Sequence, residues 1–250
     1  DNEKRQISEL CRVSNMAFYK VSSTFEENEF LRFANALGFE EIDAPIYSED
    51  IGVSIVTKAM CGKKMNYRPY SDKGLGWHTD GYYNPPDREI GSFILHCKKE
   101  AIVGGETALL DPEIAYIYLR DEDPQYIEAL IRPDVFAVEA NEEDGVIIRE
   151  RRIGPMFSVI KGSLRMRFSA RKKYVKWSTD PIVDKAVNCL KELLATEASH
   201  VVRLKLSSGQ GIVCNNVLHK RSAYNDDAAK PRVFYRLRSL NRLGVDSFGV

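Results

Sequence analysis

Trp77-His78-Thr79-Asp80-Gly81-Tyr82-Tyr83-Asn84-Pro85-Pro86 is the stretch on which the reading of this chain turns. An imidazole and a carboxylate stand two positions apart, just ahead of a glycine and a proline-rich turn. In an extended segment, residues i and i+2 point to the same side, so both side chains can reach one small ion. A third ligand must come from elsewhere. The other histidine in a comparably tight context is His219, which closes the run Ile212-Val213-Cys214-Asn215-Asn216-Val217-Leu218. Two imidazoles and one carboxylate on one face of a metal, with the opposite face open, form the ligand set of non-haem Fe(II) sites that activate dioxygen. A His-x-Asp triplet alone arises often by chance. What favours the metal is the strand end that opens into a mouth, together with a closed sheet able to return His219, 139 positions beyond Asp80, to the same place.

The bulk composition narrows the class. Lys plus Arg equals Asp plus Glu at 36 each, so no global field recruits nucleic acid or an anionic membrane. Apolar runs are far short of a bilayer span, and the first residues lack the pattern of a signal peptide, which makes the cytoplasm the expected location. The five cysteines are widely spaced, contain no Cys-x-x-Cys pair, and read as reduced thiols. Residues 1–250 fit one domain.

Local patterns place the elements. Met16 to Val21 reads as a strand, and a helix with an apolar stripe of Phe30, Phe33, Ala34 and Leu37 follows, with cap candidates in Ser22-Ser23-Thr24. Ile51 to Tyr70 reads as a strand and an ordered loop that delivers the chain to His78. Ser92 to Cys97 is a strand, and Gly104-Gly105 turns into another. Asp111-Pro112 and Asp180-Pro181 each open a helix, and a small helix covers Gln125 to Ile131. Between Val135 and Phe168 short strands alternate with turns at Glu142–Gly145 and Lys161-Gly162, and Arg171-Lys172-Lys173 reads as a solvated edge. Val201 to Leu206, Ile212 to Leu218 and Arg232 to Arg238 are the last strands. Strands carry the chemistry and helices lie outside them. The expected fold is mainly β with peripheral helices, a double-stranded β-helix of the jelly-roll, cupin-like kind.

Fe(II) with three protein ligands must draw electrons from an organic co-substrate, and 2-oxoglutarate can chelate the metal through its keto acid end. Its far carboxylate then needs a cation. Arg232 and Arg236 follow His219 by 13 and 17 positions and sit four apart on one strand, hence on one face. A guanidinium grips a carboxylate with two prongs, which a lysine cannot do. Thr107 offers a supplementary hydroxyl.

Through His78-Thr79-Asp80, Leu95-His96-Cys97, Gly104-Gly105-Glu106-Thr107, Asn216-x-x-His219 and Arg232-x-x-x-Arg236, the chain resembles the Fe(II)/2-oxoglutarate dioxygenases of the taurine dioxygenase and γ-butyrobetaine hydroxylase superfamily. The resemblance implies an enzyme with iron at His78, Asp80 and His219 and with 2-oxoglutarate at Thr107 and an arginine. One branch of the family puts the distal carboxylate on Arg236 with Arg232 near the metal, and the other puts it on Arg232. Dioxygen is the second co-substrate, and 2-oxoglutarate is decarboxylated as the substrate is hydroxylated. The chain departs from the family at Asn215, where many relatives have Asp, and at Lys220, where a glycine is common.

The expected substrate is a small polar molecule, namely a carboxylate, amino acid, sulfonate or betaine. Tyr82 and Tyr83 are candidates to line its pocket, where aromatic faces could hold a quaternary ammonium, and Arg167 is a candidate to bind its anion. His96 reads as a core or supporting histidine. A non-catalytic metal- or small-molecule-binding jelly roll or sensor is the alternative, and the resemblance allows a homo-oligomer.

Overall fold

The computed structural model describes residues 2–44, 52–62, 65, 67–196, 199–227 and 229–244. Helix α1 (Asn2–Ser14) leads into β1 (Met16–Lys20), α2 (Glu27–Ala36) and β2 (Ser54–Val56). Strands β3 (Leu75–His78), β4 (Ser92–Lys99), β5 (Val103–Gly104) and β6 (Thr107–Leu110) follow, then helices α3 (Pro112–Glu122) and α4 (Pro124–Leu130). A run of short strands comes next: β7 (Phe136–Val138), β8 (Asn141–Glu143), β9 (Val146–Arg149), β10 (Arg152–Gly154), β11 (Phe157–Ile160), β12 (Ser163–Met166) and β13 (Val175–Trp177). Helix α5 (Pro181–Ala195) precedes β14 (Val202–Leu204), β15 (Gln210–Cys214), β16 (Leu218–Arg221), β17 (Tyr224–Asn225) and β18 (Val233–Ser239).

Two antiparallel sheets carry the architecture. One has the order β1-β15-β4-β18-β2, and the other β14-β6-β16-β3. Between them lies an apolar layer that includes Phe93, Leu109, Ile212, Cys214, Val217 and Phe234. Alternation along β4 and β18 sends Phe93, Leu95, Cys97 and Phe234 inward and Ile94, Tyr235 and Leu237 outward, where α1 and α2 cover them with Cys11, Phe30 and Ala34. Helices α3, α4 and α5 form a second cover, packed with Leu110, Phe136, Phe157 and Leu218. This is the expected jelly roll with helices outside it.

Three local expectations need correction. Helix α2 is capped by Glu26, whose backbone N–H is met by the Glu29 side chain in a capping box, and Thr24 instead reaches the ring of His96 at 3.1 Å. Ile212 to Leu218 is not one strand: β15 stops at Cys214, and the chain turns through Asn216 at φ 50° before β16 begins. Asn tolerates that left-handed conformation better than most residues. Helix α1 has no counterpart in the sequence reading. Of the Ile51 to Tyr70 stretch, residues 51, 63, 64 and 66 lie outside the described residues, and β2 is the strand found in the remainder.

His96 lies on the outer face of β4, fully buried, with the hydroxyls of Tyr19 and Thr24 at 3.0 and 3.1 Å from its two ring nitrogens and Phe25 and Phe30 beside it. Burial pushes its pKa down to about 4. The unfolded chain takes up this proton near 6.5 while the folded chain refuses it. Its contribution to stability is therefore complete above about pH 6.5 and is lost as pH falls towards about 4. Thermal melts should show a smaller loss of Tm between pH 7 and pH 5 for His96→Phe than for the native chain; equal losses would mean that His96 is not held neutral.

Candidate metal centre and its cavity

Strand β16 pairs with β3 so that His219 stands directly across from His78. Their rings approach to 4.1 Å between centroids. Each Nδ1 is hydrogen-bonded to a backbone carbonyl, Gly76 O at 2.8 Å for His78 and Val217 O at 2.9 Å for His219. A carbonyl accepts only, so it fixes the proton on Nδ1 and leaves both Nε2 lone pairs free to bind a cation.

Asp80 is brought to the same point by its neighbours. The backbone N–H of fully buried Thr79 donates to Phe168 O at 3.0 Å, and its hydroxyl accepts from the Phe168 N–H at 3.1 Å. Gly81 then turns at φ 63°, where a Cβ would meet Ile90 at 2.4 Å, so only glycine fits. The Asn216 carboxamide completes the brace. Its Oδ1 accepts from Asp80 N at 2.8 Å, and its Nδ2 donates to Asp80 O at 3.0 Å and to Ile90 O at 2.9 Å.

His78, Asp80 and His219 thus present ligand atoms within 4.8 Å of one another. Burial, with His219 alongside, pushes His78 down to about 3, and burial lowers His219 as well. Both imidazoles are therefore neutral at physiological pH, the form that ligates metals. Burial alone would raise the Asp80 carboxyl, but Arg236, aided by His219 and Arg238, holds it well below the usual carboxylate range. Oδ2 of Asp80 is buried and has no hydrogen-bond partner. Two neutral nitrogen donors and an ionised oxygen with an unmet lone pair fit a divalent cation of the Fe(II) type.

Arg232, just ahead of β18, and Arg236, within it, have different surroundings. Arg236 Nη1 lies 3.5 Å from Asp80 Oδ1, at the metal end. Arg232 lies at the opposite end of the inner face, its guanidinium 3.6 Å from the Phe234 ring centroid and 5.1 Å from that of Tyr224. It is 2 % exposed, and its Nη1 has no partner. Burial, with Arg221 nearby, pushes its pKa down to about 10, so it is still a cation at neutral pH. Thr107 sits two positions before Leu109, which is opposite His219, and so shares the inward face of that sheet.

From the metal centre a cavity of about 470 Å³ opens outwards. Tyr82 and Tyr83 line it, packed edge to face at 5.1 Å. Arg167 does not. Its Nε and Nη2 donate to Tyr82 O at 3.2 and 3.1 Å, and its guanidinium lies over Phe136, so it props the Tyr82 backbone from behind. The expectation that Arg167 binds a substrate anion is corrected on that ground. Arg88, Arg149, Arg152, Arg171 and Arg238 line the cavity and were not foreseen. Arg238 had a signal, since it stands two positions beyond Arg236 and so faces the same way. Lys220 continues β16 and places its ammonium 4.9 Å from the Trp77 ring centroid.

A family model described as taurine catabolism dioxygenase TauD, TfdA family matches residues 9–238. Among curated proteins, a uridine-5'-phosphate dioxygenase from Streptomyces sp. is 26% identical over 232 residues, covering 88% of this chain and 81% of that one. Among solved structures, asparagine oxygenase with Fe(II), 3-hydroxyasparagine and succinate is similar at a TM-score of 0.69 and 12% identity, over 95% of this chain and 79% of that one. The non-haem iron oxygenase OrfP with Fe and L-Arg is similar at a TM-score of 0.68 and 15% identity, over 95% and 79%.

The brace predicts a mutant. Asn216→Asp replaces a donor by an acceptor facing Asp80 O and Ile90 O, and should weaken Fe(II) binding by roughly 10- to 100-fold with the fold retained. Anaerobic Fe(II) titration with circular dichroism checks it, and native-like affinity would refute the brace.

Proposed function

The chain belongs to the taurine catabolism dioxygenase TauD, TfdA family, and on that premise we propose that His78, Asp80 and His219 hold Fe(II) and that substrate is hydroxylated in the adjoining cavity. The enzyme is a 2-oxoglutarate-dependent dioxygenase. The observation that carries the assignment is the convergence of the three ligand atoms within 4.8 Å, with one buried carboxylate oxygen left unpartnered. The family match, from residue 9 to 238, supports reading residues 1–250 as one dioxygenase domain. Among the described residues, no helix is long and apolar enough to cross a membrane.

Fe(II), once bound, supplies the oxidising chemistry, in which dioxygen and 2-oxoglutarate are consumed, succinate and carbon dioxide leave, and a C–H bond becomes C–OH. The protein's part is positional. His78 and His219 offer neutral nitrogens whose orientation is fixed by Gly76 O and Val217 O. Asp80 stays ionised because Arg236 faces it. Arg232 holds the distal carboxylate of 2-oxoglutarate, assisted by the Thr107 hydroxyl. The unpartnered Nη1 of Arg232 and its place at the far end from Asp80 support this reading over the one that gives the role to Arg236. Arg236, between the metal ligands and the cavity, steers anionic groups to the metal end. The cavity walls hold the substrate carbon still, which lowers the entropic part of the barrier.

The substrate is a small polar molecule bearing an anionic group. A betaine fits poorly, because the cavity is lined by guanidinium groups and the Tyr83 ring already faces Arg149 at 5.1 Å. The name of the Streptomyces relative supports including phosphorylated molecules in the class.

Replacing either His78 or Asp80 by Ala should abolish both the visible band of the Fe(II)–2-oxoglutarate chelate and succinate release. If the band survives in both, the ligand assignment is wrong. Arg232→Ala should raise the KM for 2-oxoglutarate by roughly 10- to 100-fold with Fe(II) affinity unchanged, as expected for loss of charge-assisted hydrogen bonds. A larger KM effect for Arg236→Ala than for Arg232→Ala would reverse their roles.

A further inference from the structure

The arginines of the cavity fall into two groups. On one side Arg238 and Arg88 share a carboxylate: Asp43 Oδ2 accepts from Arg238 Nη2 at 2.5 Å, and Oδ1 accepts from Arg88 Nη2 at 2.7 Å. Arg238 Nη1 also donates to the Tyr83 hydroxyl at 3.1 Å. These two cations are spoken for by the protein.

On the other side stand Arg149 at the end of β9, Arg152 at the start of β10, and Arg171 after β12. Among the described residues, none of the three has a carboxylate partner. Arg149 Nη2 donates to Glu139 O at 3.0 Å, but its Nε, like that of Arg152, is buried without a partner. The guanidinium groups of Arg149 and Arg171 both lie against the ring of Tyr174, at 6.0 and 5.2 Å, and Arg149 also lies 5.1 Å from Tyr83. Aromatic faces keep these cations in place without neutralising them.

Three guanidinium groups without a carboxylate partner stand on one cavity wall that Glu150 also lines, two of them with an Nε shielded from water, and an anion placed among them would meet the open donors and relieve their mutual repulsion. The charge it must carry distinguishes the candidates. A carboxylate or sulfonate brings one negative charge, and Arg236 already serves such a group. A phosphate monoester carries about −1.5 to −2 charges and three strong acceptor oxygens, which is the complement of several guanidinium forks.

Building on the dioxygenase reading above, we infer that Arg149, Arg152 and Arg171 form a phosphate subsite, and that the substrate is a small phosphate monoester whose reacting carbon reaches the metal while its phosphoryl group rests on these three side chains. The cavity volume of about 470 Å³ falls within the range that holds whole small ligands. The subsite lies on the wall formed by β9, β10 and the segment after β12, so it fixes the depth at which the rest of the molecule sits.

The test uses two matched pairs of probes, uridine-5'-phosphate with uridine and ribose 5-phosphate with ribose, on the anaerobic protein loaded with Fe(II) and 2-oxoglutarate. Calorimetry should show at least one phosphorylated probe binding tenfold or more tightly than its unphosphorylated partner. Arg149→Gln, Arg152→Gln and Arg171→Gln should each reduce that preference by roughly tenfold or more, as expected for charged hydrogen bonds, and the Arg149→Gln/Arg152→Gln double variant should erase it. The visible chelate band, monitored in the same samples, should stay unchanged in all of them. Equal binding within both pairs, or a preference that survives the double variant, overturns the phosphate subsite. Absence of the chelate band in the native protein would instead refute the dioxygenase reading, so the two failures are told apart.

Discussion

A single carboxamide ties the metal centre to the fold. Asn216 sits where the chain leaves the five-stranded sheet and enters the four-stranded one, in a left-handed conformation that few side chains accept. From there it donates to and accepts from the backbone of Asp80, and it also holds Ile90 O. The corner that delivers His219 and the strand end that delivers His78 and Asp80 are thereby locked to each other, although 136 residues separate Asn216 from Asp80. Its neighbour Asn215 faces the other way and bonds Cys11 O and the backbone of Leu243. Adjacent amides thus join both ends of the described chain to the corner that carries the metal ligand.

Charge is distributed around the centre with the same economy. Asp80 would be costly to bury ionised, and Arg236 stabilises it at 3.5 Å. Asp43 does the same for Arg238 and Arg88. Arg149, Arg152 and Arg171 line the cavity without such partners, and Arg232 is buried against Phe234 and Tyr224 with its Nη1 unpartnered. An unmet buried donor calls for an explanation; the Nε atoms of Arg149 and Arg152 are two such donors on the cavity wall and Nη1 of Arg232 is another beside Phe234, although others, such as those of Arg132 and Arg165, lie elsewhere.

Much of this was legible in the sequence. The period-two runs at Met16 to Val21, Ser92 to Cys97 and Arg232 to Arg238 are strands, and Asp111-Pro112 and Asp180-Pro181 open helices whose cap carboxylates accept from Glu113 N and Ile182 N. The pairing of His78 with Asp80 was legible because residues i and i+2 of an extended segment share a face, and His219 was legible as the other histidine in a comparably tight context. What was hidden depends on tertiary structure. Helix α1 has only a short apolar stripe, Cys11 buried and Ile7 partly buried beside it, set among charged and polar residues that mask it. The turn at Asn216 looks like the middle of an apolar run. Arg149 and Arg152 lie on strands of four and three residues, too short for a pattern to say which face is inside. Arg171 reads as part of a solvated basic run because Lys172 and Lys173 are indeed exposed, and only packing against Tyr174 turns it inwards.

The alternation of β18 also sets the order of events in space. Phe234, Arg236 and Arg238 follow at steps of two on one inward face, each step about 6.6 Å along the strand, and Arg232 stands two positions ahead of Phe234, just before the strand begins. Arg232 is at the closed end, Arg236 beside Asp80, and Arg238 at the mouth with Tyr83. Phe234 lies between the first two and presents no polar group, so an anion drawn inward finds no resting place between Arg236 and Arg232. A dicarboxylate whose far end reaches Arg232 must therefore lie deep, with its other end at the metal. On the proposal that Arg232 holds the distal carboxylate of 2-oxoglutarate, a second ligand would occupy the outer part of the cavity, which Arg149, Arg152 and Arg171 line. The strand and the residue ahead of it would then separate co-substrate from substrate by depth, through the placement of three arginines and one phenylalanine on a single face.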